Sequence, residues 1–349
     1  MATIRSFEPD DLPAVRALMG ADPPGWDLDE RLLLGTLVDH PWTDSELPSL
    51  VAIEEDGRLV GFIGSQPRVM HLGGRRLRGV CCSHLVADVK AGSSAVGALL
   101  LRRLLSAGQD LTFTDSANET VLRMWLTFGG DLDHSRACDW MLVLRPARWL
   151  RSGLRAAATG KSGRHATPVA AVPFQAAGRK LAKRAFPPHD SAVAGTDATA
   201  AEIADLLPAL ARRARLAVAY DTETLGHDLG LASALLGSVV SRLVRRHGEP
   251  IGWYAYVPRP DGLCRVLHLD AIRGEEEAVL GELVDAARSR GGSVLCGRME
   301  PNLQEPLRGR FAVLGFARRP LIHARDPEVR AALAASSLLT QLSGEWWVA

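Results

Sequence analysis

Residues 78–87 contain the side chains of this sequence that are best suited to acid–base or nucleophilic chemistry. Their alternation predicts a β-strand in which Val80, Cys82, His84 and Val86 share one face. Histidine titrates near neutral pH, so His84 is a candidate base. Cys82 could carry an acyl group, although nothing in the sequence indicates an activated thiol. The alternatives are a hydrogen-bonded histidine and a buried thiol in a half-buried strand.

Two further polar groups lie at junctions between predicted elements. Ser116 and Glu119 have the S-x-x-E spacing of a capping box, so we expect them to begin a helix. The other group precedes a predicted helix in the second half of the chain, where it could line a pocket or, as we favour, cap that helix. Its members are Tyr220, Asp221, Glu223 and His227.

Several catalytic classes lack their motifs here. The sequence contains no G-x-S-x-G, no Walker loop and no H-E-x-x-H. Its 5 cysteines include no C-x-x-C pair, and Asp131, His134 and Cys138 lack the regular spacing of metal ligands. We therefore expect no metal and no disulfide framework, and the cysteine usage indicates a reducing compartment.

Length and composition predict a globular protein of about two domains, with 349 residues of which 47% are apolar. No apolar stretch reaches the ~18 residues of a membrane span. The N-terminus carries acidic residues where a signal peptide would need an apolar run. We expect a soluble, cytoplasmic protein.

The charge is unevenly distributed, although 41 basic side chains nearly balance 40 acidic ones overall. Residues 151–189 hold eight basic and no acidic side chains. This predicts a basic connector at 151–195 between an N-terminal domain, 1–150, and a C-terminal domain, 196–349. Such a connector could bind nucleic acid or an anionic membrane surface, and we expect a solvated linker.

Similar elements recur on both sides of this connector. Short echoes, such as Gly61-Phe62 with Gly252-Trp253, favour a duplication. The pattern predicts an α/β (α+β) fold of two domains, each a mixed, partly parallel sheet flanked by helices. The predicted strands are 50–54, 59–64, 78–87, 110–114 and 140–144, then 238–245, 251–257, 263–270, 293–299 and 317–323, and the predicted helices are 94–105, 117–128, 275–288 and 303–314.

Residues 86–130 resemble the GNAT superfamily of acyl-CoA-dependent N-acyltransferases. They read VADVKAGSSAVGALLLRRLLSAGQDLTFTDSANETVLRMWLTFGG. In that superfamily a strand ends in a V-x-P-like step, a loop of the R-G-x-G-x-G/A kind opens a helix, and a strand and an N-x-x-A-x-x-x-Y-x-x-x-G-F helix follow. The second half resembles a more diverged copy. The chain is thus similar to a tandem-domain member with a degenerate CoA loop.

The resemblance implies that acetyl-CoA or another acyl-CoA binds as co-substrate where the helix at 94–105 begins. A helix N-terminus offers unpaired N–H groups to a pyrophosphate, and glycines let the backbone approach it closely. His84 then becomes the candidate catalytic base for an attacking amine. The residues implied for CoA binding are Val86, Gly92, Ser93, Ser94, Gly97 and Asn118.

The sequence departs from the superfamily pattern at five positions. Ala91 replaces a basic or amide residue, Ser94 replaces a glycine, and Val96 stands where glycine or alanine is usual. A serine-capped helix without CoA is therefore the alternative for this loop. Trp125 occupies the position of the tyrosine that protonates the leaving thiolate, and Phe311 the corresponding position of the second half. Neither side chain is a usable acid.

Three functions follow from these observations. The leading expectation is an N-acyltransferase, an acetyltransferase in the simplest case, acting on a small-molecule or peptide amine. A Fem-like aminoacyl-tRNA-dependent transferase is an alternative motivated by the basic connector. A catalytically silent GNAT-like binding or scaffold protein is motivated by the departures above. DNA is not expected as a partner, and the Trp346-Trp347 pair is expected to pack onto its own domain.

Overall fold

The computed structural model describes residues 2–21, 30–88, 95–146, 148, 190–211, 216–310, 312–315, 318–335 and 337–348. Within these ranges the chain forms two mixed β-sheets flanked by helices, so the predicted fold class is confirmed. The strands are β1 (Thr3–Ser6), β2 (Leu50–Ile53), β3 (Leu59–Leu72), β4 (Arg75–Ala87), β5 (Leu111–Thr114), β6 (Asp131–Leu132), β7 (Asp139–Val143), β8 (Val193–Asp197), β9 (Leu216–Val218), β10 (Val240–Arg246), β11 (Glu249–Pro258), β12 (Leu263–Ala271), β13 (Val294–Arg298), β14 (Val313–Gly315), β15 (Leu321–Ala324) and β16 (Ser337–Leu338). The described α-helices are α1 (Leu12–Ala21), α2 (Glu30–Leu37), α3 (Val96–Leu105), α4 (Glu119–Thr127), α5 (Ala200–Ala204), α6 (Leu207–Ala211), α7 (Thr222–Leu236), α8 (Glu276–Ser289), α9 (Gln304–Gly309) and α10 (Pro327–Ala335).

The two sheets have the same strand order and the same strand directions. The first runs β1-β2-β3-β4-β5-β15-β6, and the second runs β8-β10-β11-β12-β13-β7-β14. The pairs β4/β5 and β12/β13 are parallel, and the other pairs along both paths are antiparallel. In addition, β9 pairs with the far end of β3, and β16 pairs with β9. This correspondence supports the interpretation of a repeated unit.

Four strands lie in the sheet of the opposite half, namely β7 in the second sheet and β9, β15 and β16 in the first. The strand predicted at 140–144 forms as β7, but it pairs with β13 and β14 in the second sheet. The strand predicted at 317–323 forms as β15 and lies between β5 and β6 in the first sheet. Sequence neighbours pair in only about two-thirds of cases, and a local pattern does not encode the partner. Each half therefore completes the other's sheet.

Helices cover both faces of the first sheet. The apolar side of α3 packs over β2, β3 and β4, and α1 and α2 cover the opposite face around Val51 and Phe62. Gly61 of β3 permits the close approach of α3, because a Cβ at this position would lie 2.9 Å from Leu100 Cδ1. The sheet is thereby buried on both sides next to the strand that carries His84.

Most predicted elements form where the sequence placed them, with two differences in length. The strand predicted at 59–64 continues to Leu72 as β3, and the helix predicted at 303–314 stops at Gly309, so that β14 can follow. Of the predicted connector, 151–189 lies outside the described residues, and 190–195 form a turn and the start of β8. No helix in the described ranges is long and apolar enough to cross a membrane.

Candidate functional site

A β-bulge interrupts β4 at His84. The register with β3 pairs Ser83 with Gly64 and Val86 with Phe62, so β4 carries one extra residue between these pairs. His84 has a φ of +54°, in the left-handed region that few non-glycine residues adopt. The bulge changes which face each side chain occupies. Cys82 belongs to the cluster under α3, whereas Val86 packs with the cluster beneath α1 and α2. The prediction that these residues share a face is therefore wrong.

The ladder between β4 and β5 ends at Cys81, before the bulge. The parallel pairing joins Gly79, Val80 and Cys81 to residues 111–113, and among the described residues 82–87 have ladder partners on β3 alone. A strand edge without a ladder partner can pair with the backbone-like amides of a ligand. Helix α3 begins beside this edge, because a Cβ on Gly97 would lie 3.8 Å from Ala87 Cβ. A strand edge and a helix N-terminus thus meet at one place.

The predicted CoA-binding residues fall into two groups. Gly92, Ser93 and Ser94 lie outside the described residues, as does Ala91. Gly97 lies in the first turn of α3, and Val86 contributes the strand edge. Asn118 is the N-cap of α4, where its Oδ1 accepts a hydrogen bond of 2.9 Å from the N–H of Val121. The capping box predicted from Ser116 and Glu119 is wrong, because Asn118 takes the cap position.

Two contacts hold the imidazole of His84, one at a ring nitrogen and one at a ring face. Its Nδ1 lies 2.8 Å from Ser83 Oγ, and its ring stacks on Trp347 with centroids 5.5 Å apart and planes at 6°. Its Nε2 is buried and has no hydrogen-bond partner among the described residues. Burial lowers the pKa of His84 to about 4, so the ring is neutral at pH 7.

A chain of buried polar side chains connects Ser83 to the interior between the two halves. Gln66 Nε2 donates to Ser83 Oγ at 2.9 Å, and Arg68 Nη2 donates to Gln66 Oε1 at 3.2 Å. Arg68 also donates through Nε to the carbonyl of Ser343 at 3.0 Å. The guanidinium group, itself almost fully buried, is therefore the charged end of this chain.

Asp228 of α7 faces that guanidinium from the second half of the chain. Its Oδ1 lies 3.2 Å from His40 Nε2, and His40 Nδ1 accepts the N–H of Trp42 at 3.1 Å. Burial alone would raise the pKa of Asp228, but the charge of Arg68 and the hydrogen bond from His40 lower it below its ordinary value. The carboxylate balances the charge of Arg68 in a region closed to water.

The polar group predicted near residue 220 divides between two roles. Asp221 is the N-cap of α7, and its Oδ1 accepts the N–H of Thr224 at 2.9 Å. Tyr220 stacks on Trp42 with ring centroids 5.4 Å apart, and burial raises the pKa of its hydroxyl. His227 Nε2 lies 2.7 Å from the carbonyl of Gly35. Capping thus accounts for Asp221, while Tyr220 and His227 join the two halves.

Buried charges also attach the C-terminal segment to the end of β5. Glu345 Oε2 accepts hydrogen bonds from Thr114 Oγ1 at 2.8 Å and from the N–H groups of Asp115 and Ser116 at 2.9 and 3.1 Å. Asp115 in turn pairs with Arg298 of β13 and accepts the N–H of Glu345 at 2.8 Å. Burial and the nearby charge of Asp115 raise the pKa of Glu345 to about 7.

Replacing Glu345 with glutamine is expected to change the pH dependence of stability. The folded state keeps Glu345 protonated up to about pH 7, whereas the unfolded chain loses that proton near 4.5. Stability of the wild type therefore falls relative to E345Q as pH rises between these values, on the order of 1 kcal/mol per pH unit. Urea unfolding at pH 5 and pH 8 should show similar stabilities at pH 5 and a more stable variant at pH 8. An equal difference at both pH values would contradict this result.

Sequence reasoning did not single out Gln66, Arg68, Arg298 or Glu345. Gln66 and Arg68 did leave a signal, because polar side chains inside an otherwise apolar strand must find buried partners. Glu345 left none, since its partners lie some 230 residues away in sequence. The favoured interpretation of Cys82 as a buried thiol agrees with the structure, where burial raises its pKa.

Trp125 performs a structural task in this arrangement. Its side chain is fully buried under α3, and its indole Nε1 donates to the carbonyl of Ile322 at 2.9 Å. Its N–H is thereby engaged by β15, the strand that arrives from the second half. The corresponding Phe311 lies outside the described residues.

No protein-family model matches the sequence, and no curated protein matches it. Solved structures match its fold. A GCN5-related N-acetyltransferase from Kribbella flavida has a TM-score of 0.57 at 14% identity, over 96% of this chain and 73% of that one. A GCN5-related N-acetyltransferase from Anabaena variabilis has a TM-score of 0.58 at 9% identity, over 94% of this chain and 74% of that one. Eis1 from Mycobacterium abscessus has a TM-score of 0.58 at 15% identity, over 95% of this chain and 76% of that one. At such identities the likeness shows the fold alone, and that fold is the one of GCN5-related N-acetyltransferases.

Proposed function

We propose that this chain is an N-acyltransferase that transfers an acyl group from acetyl-CoA or another acyl-CoA to a small-molecule or peptide amine. The observation that carries the proposal is the end of the β4/β5 ladder at Cys81, which leaves residues 82–87 without a ladder partner on β5 beside the start of α3. The amide groups of a pantetheine arm can pair with a strand edge of this kind, and a helix N-terminus attracts its pyrophosphate.

The residues of the chain would act mainly by positioning and by electrostatic stabilisation. Residues 82–87 would hold the thioester along β4, and Gly97 would let the ligand approach the first turn of α3. The amine attacks the thioester carbon, and backbone N–H groups near Val86 would stabilise the oxyanion. His84 is the predicted base for this step, but a pKa of about 4 matches it poorly to an ammonium group.

A catalytically silent protein of the same fold is the second candidate. Trp125 favours it, because the position where the resembled superfamily has an acidic tyrosine is filled by a buried, hydrogen-bonded indole. Such a protein would bind acyl-CoA without turning it over. The basic segment that motivated the tRNA-dependent alternative lies outside the described residues.

Substituting Ala95 tests the binding site without disturbing the core. Ala95 is exposed and precedes α3 without a side-chain cap. A glutamate here suits the helix dipole but repels a pyrophosphate, whereas glutamine has the same shape without the charge. A thermal-shift series with acetyl-CoA, longer acyl-CoAs and free CoA should give a rise of roughly 5–10 °C for wild type and A95Q at ~100 times Kd, and little for A95E.

The outcomes separate the candidates. A shift with one acyl-CoA that A95E abolishes, followed by an acylated amine in a product assay, supports the transferase. The same shift with no product across an amine panel supports the silent protein. No shift with any CoA species removes both, and a salt-dependent complex with aminoacyl-tRNA would then favour the Fem-like alternative.

A further inference from the structure

We propose that His84 donates a hydrogen bond from Nε2 to the oxyanion of acyl transfer, and that Arg68, Gln66 and Ser83 are positioning residues that fix the imidazole in the tautomer this requires. The inference rests on the proposed function for the identity of the oxyanion. It assigns to His84 the opposite role from a base, because its free nitrogen then carries a proton instead of accepting one.

The donor and acceptor in each hydrogen bond of this series can be assigned by starting from Arg68. A guanidinium group has donors and no acceptor. Arg68 Nη2 therefore donates to Gln66, and the side-chain atom that receives this bond, 3.2 Å away, must be the amide oxygen. The orientation of the Gln66 amide follows, and its NH₂ group points toward Ser83 Oγ at 2.9 Å.

The donor and acceptor roles of Ser83 and of the His84 imidazole follow in the same way. Ser83 Oγ accepts from Gln66, so its own hydrogen needs another acceptor. Among the described residues the neighbouring acceptor is His84 Nδ1, at 2.8 Å. A serine that donates to Nδ1 leaves that nitrogen without a hydrogen, and the neutral ring then carries its proton on Nε2.

The residues around these hydrogen bonds keep the donor and acceptor roles from reversing. Ser83, Gln66 and Arg68 are nearly inaccessible to solvent, so water does not compete for their hydrogen bonds. Arg68 is held by the carbonyl oxygens of Ser343 and Pro67, at 3.0 and 3.1 Å, and by the negative charge of Asp228. The fixed positive charge at one end orients every donor in the chain toward His84.

Nε2 of His84 is buried and has no hydrogen-bond partner among the described residues. The N–H vector lies in the plane of the imidazole, and Trp347 stacks on the face of the ring, so the tryptophan fixes the plane without occupying the direction of the bond. A buried, unpaired donor is costly to stability and marks a position where a ligand atom is expected. His84 belongs to residues 82–87, which have no ladder partner on β5 among the described residues.

The acyl-transfer step balances with His84 in this role. The amine nitrogen forms a bond to the thioester carbon, and the carbonyl π electrons move onto oxygen, which accepts the Nε2–H hydrogen bond without taking the proton. Collapse of the intermediate re-forms the carbonyl and breaks the C–S bond. The proton lost by the nitrogen passes through water to the CoA thiolate. A neutral imidazole is a suitable donor here, as burial keeps His84 uncharged at pH 7.

Gln66→Glu tests this arrangement, because a carboxylate has the same shape as the amide but only accepts hydrogen bonds. The substitution therefore reverses the donor and acceptor roles of Ser83 and His84. The carboxylate would accept from both Arg68 and Ser83, so Ser83 Oγ would then accept from Nδ1–H of His84. Long-range ¹⁵N–¹H spectra of the full chain with ¹⁵N-labelled histidine, assigned by loss of the His84 signals in H84Q, report the tautomer directly. We expect Nε2–H in the wild type and Nδ1–H in Q66E. Nδ1–H in the wild type, or an unchanged tautomer in Q66E, would overturn the proposal.

A kinetic comparison tests the role of the donor. The amide NH₂ of glutamine can replace the Nε2–H donor but cannot act as a base. We expect H84A to lose roughly 10²–10³-fold in kcat, as when an oxyanion donor is removed, and H84Q to stay within about 10-fold of wild type with the same pH profile. Equal losses in H84A and H84Q, with one limb of the pH profile missing, would instead identify a base.

Failure of the proposed function would be recognised separately. If no acyl-CoA binds or reacts, the transferase proposal fails, and the spectra still decide whether the chain from Arg68 fixes the tautomer. If turnover is found and Q66E moves the proton without lowering kcat, the positioning role is refuted while the transferase proposal stands. Melting temperatures of Q66E, H84A and H84Q check that each comparison is made on folded protein.

Discussion

Replacing Arg298 with methionine is expected to destabilise the folded chain by about 3–5 kcal/mol, the cost of leaving a buried charge without its partner. The Arg298 side chain is 2% exposed and lies between Asp115 and Glu300. Methionine fills a similar volume but carries no charge. Asp115 would then be buried beside Glu345 with no cation paired to it, whereas Glu300 keeps Arg136 at 2.9 Å. Urea unfolding at pH 7 measures this loss.

An exposed pair of the same chemistry is the control. Arg308 and Glu305 form an ion pair in which the side chains are 77% and 76% exposed, so Arg308→Met should have little effect. Adding Asp115→Asn to Arg298→Met removes the unpaired charge and should recover part of the lost stability. Lowering the pH should reduce the destabilisation caused by Arg298→Met, because Asp115 then becomes protonated. If Arg298→Met were no more damaging than Arg308→Met, the buried pair would not contribute to stability.

Replacing Trp125 with alanine is expected to cost about 3–5 kcal/mol, as for other large side chains removed from a core. The indole is fully buried between α3 and the first sheet. Its loss would also leave the carbonyl of Ile322 without its donor. Because Ile322 belongs to β15, the damage should reach the strand supplied by the second half. Thermal unfolding followed by circular dichroism is the measurement.

The neighbouring Leu126 supplies a matched control. It lies on the same helix and is 50% exposed, so Leu126→Ala should change stability by no more than about 0.5 kcal/mol. Trp125→Phe separates the two contributions, since it keeps most of the ring and removes the N–H. The part of its cost that comes from the lost hydrogen bond to Ile322 should be about 0.5–1.5 kcal/mol. Near-equal stability of Trp125→Ala and Leu126→Ala would contradict the anchoring role.

The sequence predicts the local elements of this fold well because periodicity is a local property. The strand predicted at 263–270 forms as Leu263–Ala271, and the helix predicted at 275–288 forms as Glu276–Ser289. Partner choice is different. Nothing in the pattern of 140–144 distinguishes the first sheet from the second, because an apolar strand fits either; the exchange of β7 and β15 is decided by packing.

In the candidate site, too, the local sequence identifies a residue but not its contacts. His84 could be selected from its residue type, but the bulge that turns its neighbours to different faces adds a single residue to β4 and leaves no trace in composition. Its ring stacks on Trp347, near residue 349, and hydrogen bonds through Ser83 and Gln66 lead to Arg68 on the neighbouring strand. Only the folded chain brings these groups together.

The placement of β15 has a consequence for synthesis on the ribosome. The edge of β5 pairs with Leu321–Ala324, so the first sheet remains without β15 while about two hundred further residues are translated. At about 5–20 residues per second this interval lasts roughly 10–40 s. During it, Leu111–Thr114 presents unpaired backbone groups and apolar side chains to the solvent or to a chaperone. The first sheet therefore cannot reach its final form before β15 has left the ribosome.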